Sequence, residues 1–173
     1  ALNLRDGGNR VSVYLRPDSP RIRAAEKAGL RVITDAAEAA RSADIAVVLL
    51  PDSEQPRFYE EALRDRLPTG ATMIFAHGFA IHYGRITPRP DLDVSLAAPL
   101  AHGETLRRDY VERGEVPCVT AVAQNATGRA KERVGQYARA ICGRGPFIES
   151  TFAEEVETDL FAEQAVLCGG MPE

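Results

Sequence analysis

The 173-residue chain has little of several features that define whole classes of protein. Its three cysteines, Cys118, Cys142 and Cys168, are widely spaced and form no C-x-x-C pair, which argues against a disulfide framework and against a zinc site. We interpret them as small buried apolar residues. The longest apolar run, residues 45–50, is far too short to cross a bilayer, and the first residues lack a basic-then-apolar signal pattern. We therefore expect a soluble, cytoplasmic protein that makes no contact with membranes.

Clusters of basic residues are also absent. The 21 Lys and Arg residues and 25 Asp and Glu residues give a net charge of -4, and no stretch concentrates cations as a phosphate-backbone binder requires, so nucleic acid is not an expected partner. Lys27 and Lys131 are the only lysines in the chain. The composition, 45% hydrophobic and 27% charged, is that of a globular protein and excludes disordered and fibrous classes.

The chain alternates short β-branched runs with longer segments of helical period. Strands are predicted at residues 11–15, 32–33, 45–50, 72–76, 94–97, 116–123 and 147–148, with helices at 20–28, 36–41, 54–66, 104–111 and 127–141. Asp35 is placed to cap the second of these helices, and the continuous apolar run 45–50 is typical of a strand buried on both faces. Because parallel strands need a helical crossover between them, the alternation predicts an α/β fold with a doubly wound, mostly parallel sheet.

The two ends of the chain do not follow this alternation of strands and helices. Residues 1–8 have the pattern of the last turns of a helix with a glycine C-cap and no strand in front of it. From about Thr151, acidic and apolar residues interleave in a helical pattern with no further β pattern. We therefore expect residues 1–150 to form the α/β domain, residues 151–173 to begin a helical domain, and the sequence to be a fragment at both ends.

Ligands of doubly wound sheets bind outside the carboxyl ends of the strands, so the loops there are candidate sites. The loop at residues 15–21 contains Arg16, Ser19 and Arg21, which could bind the 2′-phosphate of a dinucleotide. Asp18 in the same loop could instead accept a hydrogen bond from a free ribose hydroxyl and repel the phosphate. A solvated turn is an equally good interpretation of this loop.

Two further strand-end loops contain polar side chains. Asp52 and Ser53 follow the third predicted strand and are placed to cap the next helix, which alone would account for them. His77 follows the fourth predicted strand, at the carboxyl edge of the sheet. An isolated histidine is more often structural than catalytic, but this position favours a role in proton transfer. The weaker candidates are His82 and His102.

Asp159 and Glu163 are four residues apart, which places both carboxylates on one face of a helix, about one turn from each other. Like charges at this spacing destabilise a helix unless a cation lies between them. Mg²⁺ would relieve the repulsion, since it is commonly held by one or two carboxylates together with water and substrate. From the spacing alone, a solvated acidic face is the more frequent explanation.

Several segments together follow the pattern of one family over essentially the whole chain. They are residues 1–6, 49–52, 75–79 with 81–82, 107–108 with Tyr110, Glu149 with 151–152, and the long motif Glu157-Thr-Asp-Leu-Phe-Ala-Glu-Gln-Ala-Val-Leu-Cys-Gly-Gly170. In these segments the chain resembles the ketol-acid reductoisomerases. The resemblance implies a Rossmann domain that binds NADPH over residues 1–150, followed by the start of a helical domain for metal binding and dimerisation.

The resemblance also implies an activity. These enzymes convert 2-acetolactate, or 2-aceto-2-hydroxybutyrate, to the 2,3-dihydroxy acid by alkyl migration and hydride transfer, in branched-chain amino acid biosynthesis. Two Mg²⁺ ions polarise the ketone and stabilise the developing alkoxide charge. The resemblance further implies a homo-oligomer, at least a dimer.

By the same resemblance, Asp159 and Glu163 match metal ligands, Glu163 takes part in catalysis, and His77 matches an active-site histidine. Arg16 and Ser19 lie in the loop that selects NADPH, where Arg21 adds a third donor. The segment that lines the cofactor contains Pro51, Asp52 and Gln55.

The chain departs from the family pattern at Leu100, which stands where an active-site lysine is expected. No lysine lies nearby, and His102 is the nearest candidate cation. The glycine-rich phosphate loop would precede Ala1, and further metal-binding glutamates would follow Glu173. Three hypotheses remain open: a true reductoisomerase, a relative with altered chemistry such as an NADPH-dependent reductase, and a non-catalytic dinucleotide-binding module.

Overall fold

The strands form two sheets in a computed structural model that describes residues 1–101, 103–162 and 164. In the smaller sheet, β1 (Ser12–Tyr14) pairs in parallel with β2 (Arg31–Ile33). The larger sheet has the order β3 (Ile45–Val48), β4 (Thr72–Phe75), β5 (Asp93–Pro99), β6 (Cys118–Asn125) and β7 (Phe147–Glu149). Every pairing is parallel except that of β5 with β6, so the prediction of a mostly parallel sheet is confirmed.

Helices connect the strands and cover both faces of the larger sheet. They are α1 (Leu2–Asp6), α2 (Ile22–Lys27), α3 (Ala36–Arg41), α4 (Gln55–Phe58), which continues as a π-helical turn (Tyr59–Leu63), α5 (Phe79–His82), α6 (Gly103–Glu112), α7 (Ala130–Cys142) and α8 (Phe152–Ala162). Asp35 caps α3 as predicted, because its carboxylate accepts from the backbone N–H groups of Ala37 and Glu38. Among the described residues, no helix is long and apolar enough to cross a membrane.

Each face of the larger sheet buries its own apolar cluster, because successive side chains of a strand point to opposite faces. On one face, Met73 and Phe75 of β4 pack with residues of α3, the π-helical turn, α5 and α8. On the other face, Ile74 packs with α7 and with partly buried residues of α1 and α6. Cys118 and Cys142 are buried in this second cluster, as predicted, and Cys168 lies outside the described residues.

The strand predicted at residues 45–50 packs on both faces, as expected, because Ala46 and Val48 contact the first apolar cluster and Val47 contacts the second. The strand ends at Val48 and lies at the edge of the five-stranded sheet. Ile45 is 37% exposed and Leu49 is 70% exposed. The two exposed residues are the first residue of the strand and the residue that follows its end.

The parallel strands β3, β4 and β5 bring three loops to one edge of the sheet. Val48 is in register with Phe75, and Phe75 is in register with Leu96, so these strands reach their carboxyl ends side by side. Helix α8 lies against this region, with Phe152 and Val156 buried. The boundary between domains at residue 150 stays a prediction.

Candidate functional site

The imidazole of His77 lies among three carboxylates at the carboxyl edge of the larger sheet. Its Nδ1 atom is 3.2 Å from Oε1 of Glu155 and 3.4 Å from Oδ2 of Asp159. Its Nε2 atom is 3.9 Å from Oδ2 of Asp52. The side chain of Glu155 is only 8% exposed, whereas that of Asp159 is 51% exposed. The structure therefore brings His77, Asp52 and Asp159 together from three separate segments and adds Glu155.

Glu155 joins α8 to the loop that follows β4. While its Oε1 faces His77, its Oε2 accepts a hydrogen bond of 2.9 Å from the backbone N–H of Gly78. A Cβ at Gly78 would lie 2.8 Å from Cγ2 of Val156, so only glycine lets α8 approach this closely. Glu155 was not predicted from the sequence, although it precedes Asp159 by four residues, the same spacing that separates Asp159 from Glu163.

The carboxylates raise the pKa of His77 above its ordinary value of 6.5. The hydrogen bond to Glu155 is the largest cause, and the charges of Glu155, Asp52 and Asp159 act in the same direction, while burial opposes them. The pKa is higher in the folded chain than in the unfolded one. The stability that this interaction contributes is therefore fully present below pH 6.5 and is lost as the pH rises through the raised pKa.

Replacing Glu155 with glutamine is expected to lower the pKa of His77 towards its ordinary value, because the amide keeps the shape but loses the negative charge. The variant should also lose more stability below pH 6.5 than above it. The measurement is an NMR titration of the His77 ring in the presence of a chelator. The matched control is Glu154→Gln, since the Glu154 carboxylate bonds Ser150 and Thr151 instead. An unchanged His77 pKa in the Glu155 variant would contradict this account.

Gln55 organises the loop after β3. Its Nε2 donates to the backbone carbonyl of Leu50 at 2.8 Å and to Oδ1 of Asp52 at 2.9 Å. Its Oε1 is buried and has no donor within the described part of the chain. A buried acceptor without a donor is costly, so a ligand hydroxyl at this edge of the sheet would satisfy it. This unpaired oxygen fits a ribose of a dinucleotide.

The expectation that Asp52 or Ser53 caps the following helix is wrong. Helix α4 has Glu54 at its N-cap position and no side-chain capping bond. The turn is closed instead by the carbonyl of Pro51, which accepts from the backbone N–H groups of Glu54 and Gln55. Because Gln55 fixes one oxygen of Asp52, the other oxygen faces His77.

The end of β1 lies against α4. The ring of Tyr14 stacks on Phe58 of α4 with centroids 5.4 Å apart. In the loop after β1, Arg16 and Arg21 are exposed, and Oγ of Ser19 accepts a hydrogen bond from the backbone N–H of Arg21. Neither guanidinium group forms an ion pair with any residue that the structure describes, so both are available to an anion. Asp18 is exposed as well.

The structure describes only some of the remaining candidate site residues. Glu163 and His102 lie outside the described residues, so the structure says nothing of their side chains. Nε2 of His82 lies 3.8 Å from Oε1 of Glu157, which gives this histidine its own partner on α8. Leu100 is 59% exposed just beyond the end of β5, and its backbone N–H donates to the carbonyl of Pro117.

The donor set around His77 suits a divalent cation. One ligand atom each from His77, Glu155 and Asp159 lies within 4.8 Å of the other two. Carboxylate oxygens are the ligands that Mg²⁺ prefers. A protonated imidazole has no lone pair for a metal, so the carboxylates of Asp159, Glu155 and Asp52 are the ligands that remain when His77 is charged. These residues therefore fit a bound Mg²⁺ ion.

The chain is similar to known proteins over its whole length. Residues 1–145 match the family model of the acetohydroxy acid isomeroreductase NADPH-binding domain. The chain is 48% identical over 174 residues to a ketol-acid reductoisomerase (NADP(+)) of Psychrobacter sp. (strain PRwf-1), covering 100% of this chain and 51% of that protein. The chain thus spans about half the length of that curated relative.

Solved structures show the same likeness. The structure of an NADH-preferring ketol-acid reductoisomerase from an uncultured archean matches with a TM-score of 0.88 and 36% identity, over 98% of this chain and 53% of that one. A putative oxidoreductase from Jannaschia sp. matches with a TM-score of 0.77 over 97% of this chain and 63% of that one. Its identity is only 16%, so this second match shows a shared fold alone.

Proposed function

This chain belongs to the ketol-acid reductoisomerase (acetohydroxy acid isomeroreductase) family, and from that premise we propose that its protein is an NADPH- and Mg²⁺-dependent reductoisomerase. It would convert 2-acetolactate or 2-aceto-2-hydroxybutyrate to the corresponding 2,3-dihydroxy acid. The observation that carries the proposal is the cluster of His77, Glu155, Asp159 and Asp52 at the carboxyl edge of the sheet. The same premise leads us to propose a cytoplasmic homo-oligomer.

The residues for the dinucleotide lie in two loops, one after β1 and one after β3. When bound, NADPH supplies the hydride. The exposed Arg16 and Arg21, with the Ser19 hydroxyl, would hold its 2′-phosphate, for which the planar guanidinium fork is well suited. Oε1 of Gln55 would accept a hydrogen bond from a ribose hydroxyl. Pro51 and Asp52 would line the same side of the dinucleotide site.

The residues for the metal and the proton lie between β4 and α8. Asp159 would hold Mg²⁺ together with Glu163, and the bound ion polarises the substrate ketone. Glu155 orients the imidazole of His77 through Nδ1 and favours its charged form, because its hydrogen bond raises the pKa. His77 could then donate a proton or a charged hydrogen bond to an oxygen that becomes negative during the reaction.

Leu100 favours a second candidate, a relative whose chemistry has changed to plain NADPH-dependent reduction. Leucine at this position offers no hydrogen bond and no charge. A non-catalytic dinucleotide-binding module is less well supported. A neutral cluster would stabilise the fold better than a half-buried histidine among three carboxylates, so the charged cluster favours a role in binding or catalysis.

The assay that separates these candidates follows NADPH oxidation by the full-length protein with Mg²⁺ present. Oxidation driven by 2-acetolactate and abolished by a chelator would support the reductoisomerase. Oxidation driven only by the 2-oxo acid that alkyl migration alone would produce would support the plain reductase. If neither substrate drives NADPH oxidation, both the reductoisomerase and the plain reductase are contradicted.

Acidic replacements at Arg16 and Ser19 together are expected to reverse a preference for NADPH over NADH. Each charge-assisted hydrogen bond to the 2′-phosphate contributes about 1.5 to 3 kcal/mol, so the ratio of kcat/KM values should fall by roughly 10 to 10²-fold for each lost contact. The measurement is kcat/KM for both cofactors, with Arg23→Asp on α2 as the matched control. If the unaltered protein already prefers NADH, as the archaeal relative does, Asp18 rather than the two arginines determines the cofactor preference, and this prediction is wrong.

A further inference from the structure

Two segments of the family pattern have no part in the site, and the structure joins them. Nη1 of Arg107 on α6 donates to Oδ1 of Asn3 on α1 at 2.8 Å, across a sequence separation of 104 residues. Nη2 of Arg107 lies 2.7 Å from Oδ2 of Asp6 on the same helix. Nδ2 of Asn3 in turn donates to the carbonyl of Ile141 in the last turn of α7 at 2.7 Å. This Arg107 clamp, made of Asn3, Asp6, Arg107 and the Ile141 carbonyl, ties three helices together.

Helix α6 packs only partly against the rest of the fold, through residues such as Leu106, Asp109 and Tyr110, which are partly buried. None of its ten residues is buried. Leu106 is partly buried and packs on the cluster beneath it. Because most of the stability of a helix in a protein comes from packing an apolar face, polar contacts supply an unusually large share for α6. Asn3 is only 6% exposed, so its amide oxygen would lose a partner without water to replace it if Arg107 were removed.

The position of α6 matters for the candidate site. The helix begins at Gly103, directly after the segment that leaves the carboxyl end of β5. Strand β5 pairs in parallel with β4, whose chain continues into His77. The backbone N–H of Leu100 donates to the carbonyl of Pro117, so this bond holds the end of β5 on the side of β6 while α6 follows it in the chain.

We propose that Arg107 is a positioning residue: through Asn3 and Asp6 it holds α6, and with it the carboxyl end of β5, at the edge where the dinucleotide binds. Arg107 then strengthens NADPH binding without contacting NADPH. The identity of the ligand rests on the proposed function, whereas the clamp itself rests on the contacts of these three residues.

The test compares Arg107→Gln with Arg108→Gln in the full-length protein. Arg108 is the matched control, because it is the adjacent arginine, its side chain is 60% exposed, and it pairs with Asp109. Hydrogen exchange of the α6 amides should become roughly 5 to 30-fold faster in the Arg107 variant only, with β4 unchanged. The dissociation constant of NADPH should rise in the same variant by a comparable factor. Arg107→Lys keeps a charge for Asp6 but not the fork that also reaches Asn3, so it should give intermediate values.

Each result decides the proposal. Exchange of α6 that is the same in all variants would overturn the clamp. Faster exchange with an unchanged dissociation constant for NADPH would overturn the positioning role. If Arg107→Gln does not fold, the same two measurements on Arg107→Lys apply. Failure of the proposed function would appear as absence of NADPH binding in the unaltered protein, whereas failure of this inference appears as equal binding by the variants and the unaltered protein.

Discussion

Replacing Asp159 with asparagine is expected to lower Mg²⁺-dependent turnover of the full-length protein by at least about 10²-fold, the usual cost of losing a group that stabilises charge in a transition state. The amide keeps the size of the side chain, but its oxygen carries no charge for the cation. The affinity for NADPH should change by no more than about twofold, because Asp159 is half exposed and surface substitutions change little else. The measurements are kcat against Mg²⁺ concentration and the dissociation constant of NADPH.

Glu157→Gln is the matched control for this variant. Glu157 lies two residues away on the same helix, its side chain is 69% exposed, and it faces His82 rather than His77. Turnover should therefore survive in the Glu157 variant. Unaltered turnover in Asp159→Asn would show that this carboxylate does not hold the ion. Equal loss in both variants would point to damage to α8.

The doubly wound fold could be predicted because each of its parallel crossovers leaves a local pattern in the sequence. Strand, helix and strand alternate from β1 onwards, and the helix cap at Asp35 is a local signal as well. Helix α5 was not predicted, since four residues are too few to show a helical period. The end of β3 at Val48 was not predicted either, because the apolar run itself continues to Leu50.

The candidate site was predicted one residue at a time. The carboxyl ends of parallel strands drew attention to His77 and Asp52, and helical spacing drew attention to Asp159. The role of Glu155 depends on how α8 docks against Gly78, and the bond between Glu155 and His77 spans 78 residues of sequence. Glu154, one residue earlier, points about 100° away around the helix and bonds Ser150 instead. The sequence does not show which of the two adjacent glutamates, Glu154 or Glu155, faces His77.

Leu100 stands where the resemblance to the reductoisomerases implies an active-site lysine, and we expect this difference to limit the reaction. A lysine beside the metal site could order hydrogen bonds and move protons, whereas leucine adds only apolar bulk. The described structure places Leu100 just past the end of β5, with 59% of its surface exposed and its backbone bonded to Pro117. An exposed side chain can become lysine with little effect on stability.

We therefore expect the unaltered protein to be a weak acetolactate isomeroreductase and Leu100→Lys to raise its turnover, by as much as the order of 10² to 10⁴-fold that one acid-base or electrostatic group supplies. The measurement is kcat for both versions at saturating Mg²⁺ and NADPH. Val111→Lys is the control for added charge, because Val111 is 63% exposed on α6 and is not near the end of β5 in the chain. A wild-type kcat of roughly 1 s⁻¹ or more, with no gain in the Leu100 variant, would show that His102 or another group supplies the acid-base or electrostatic contact instead of a lysine.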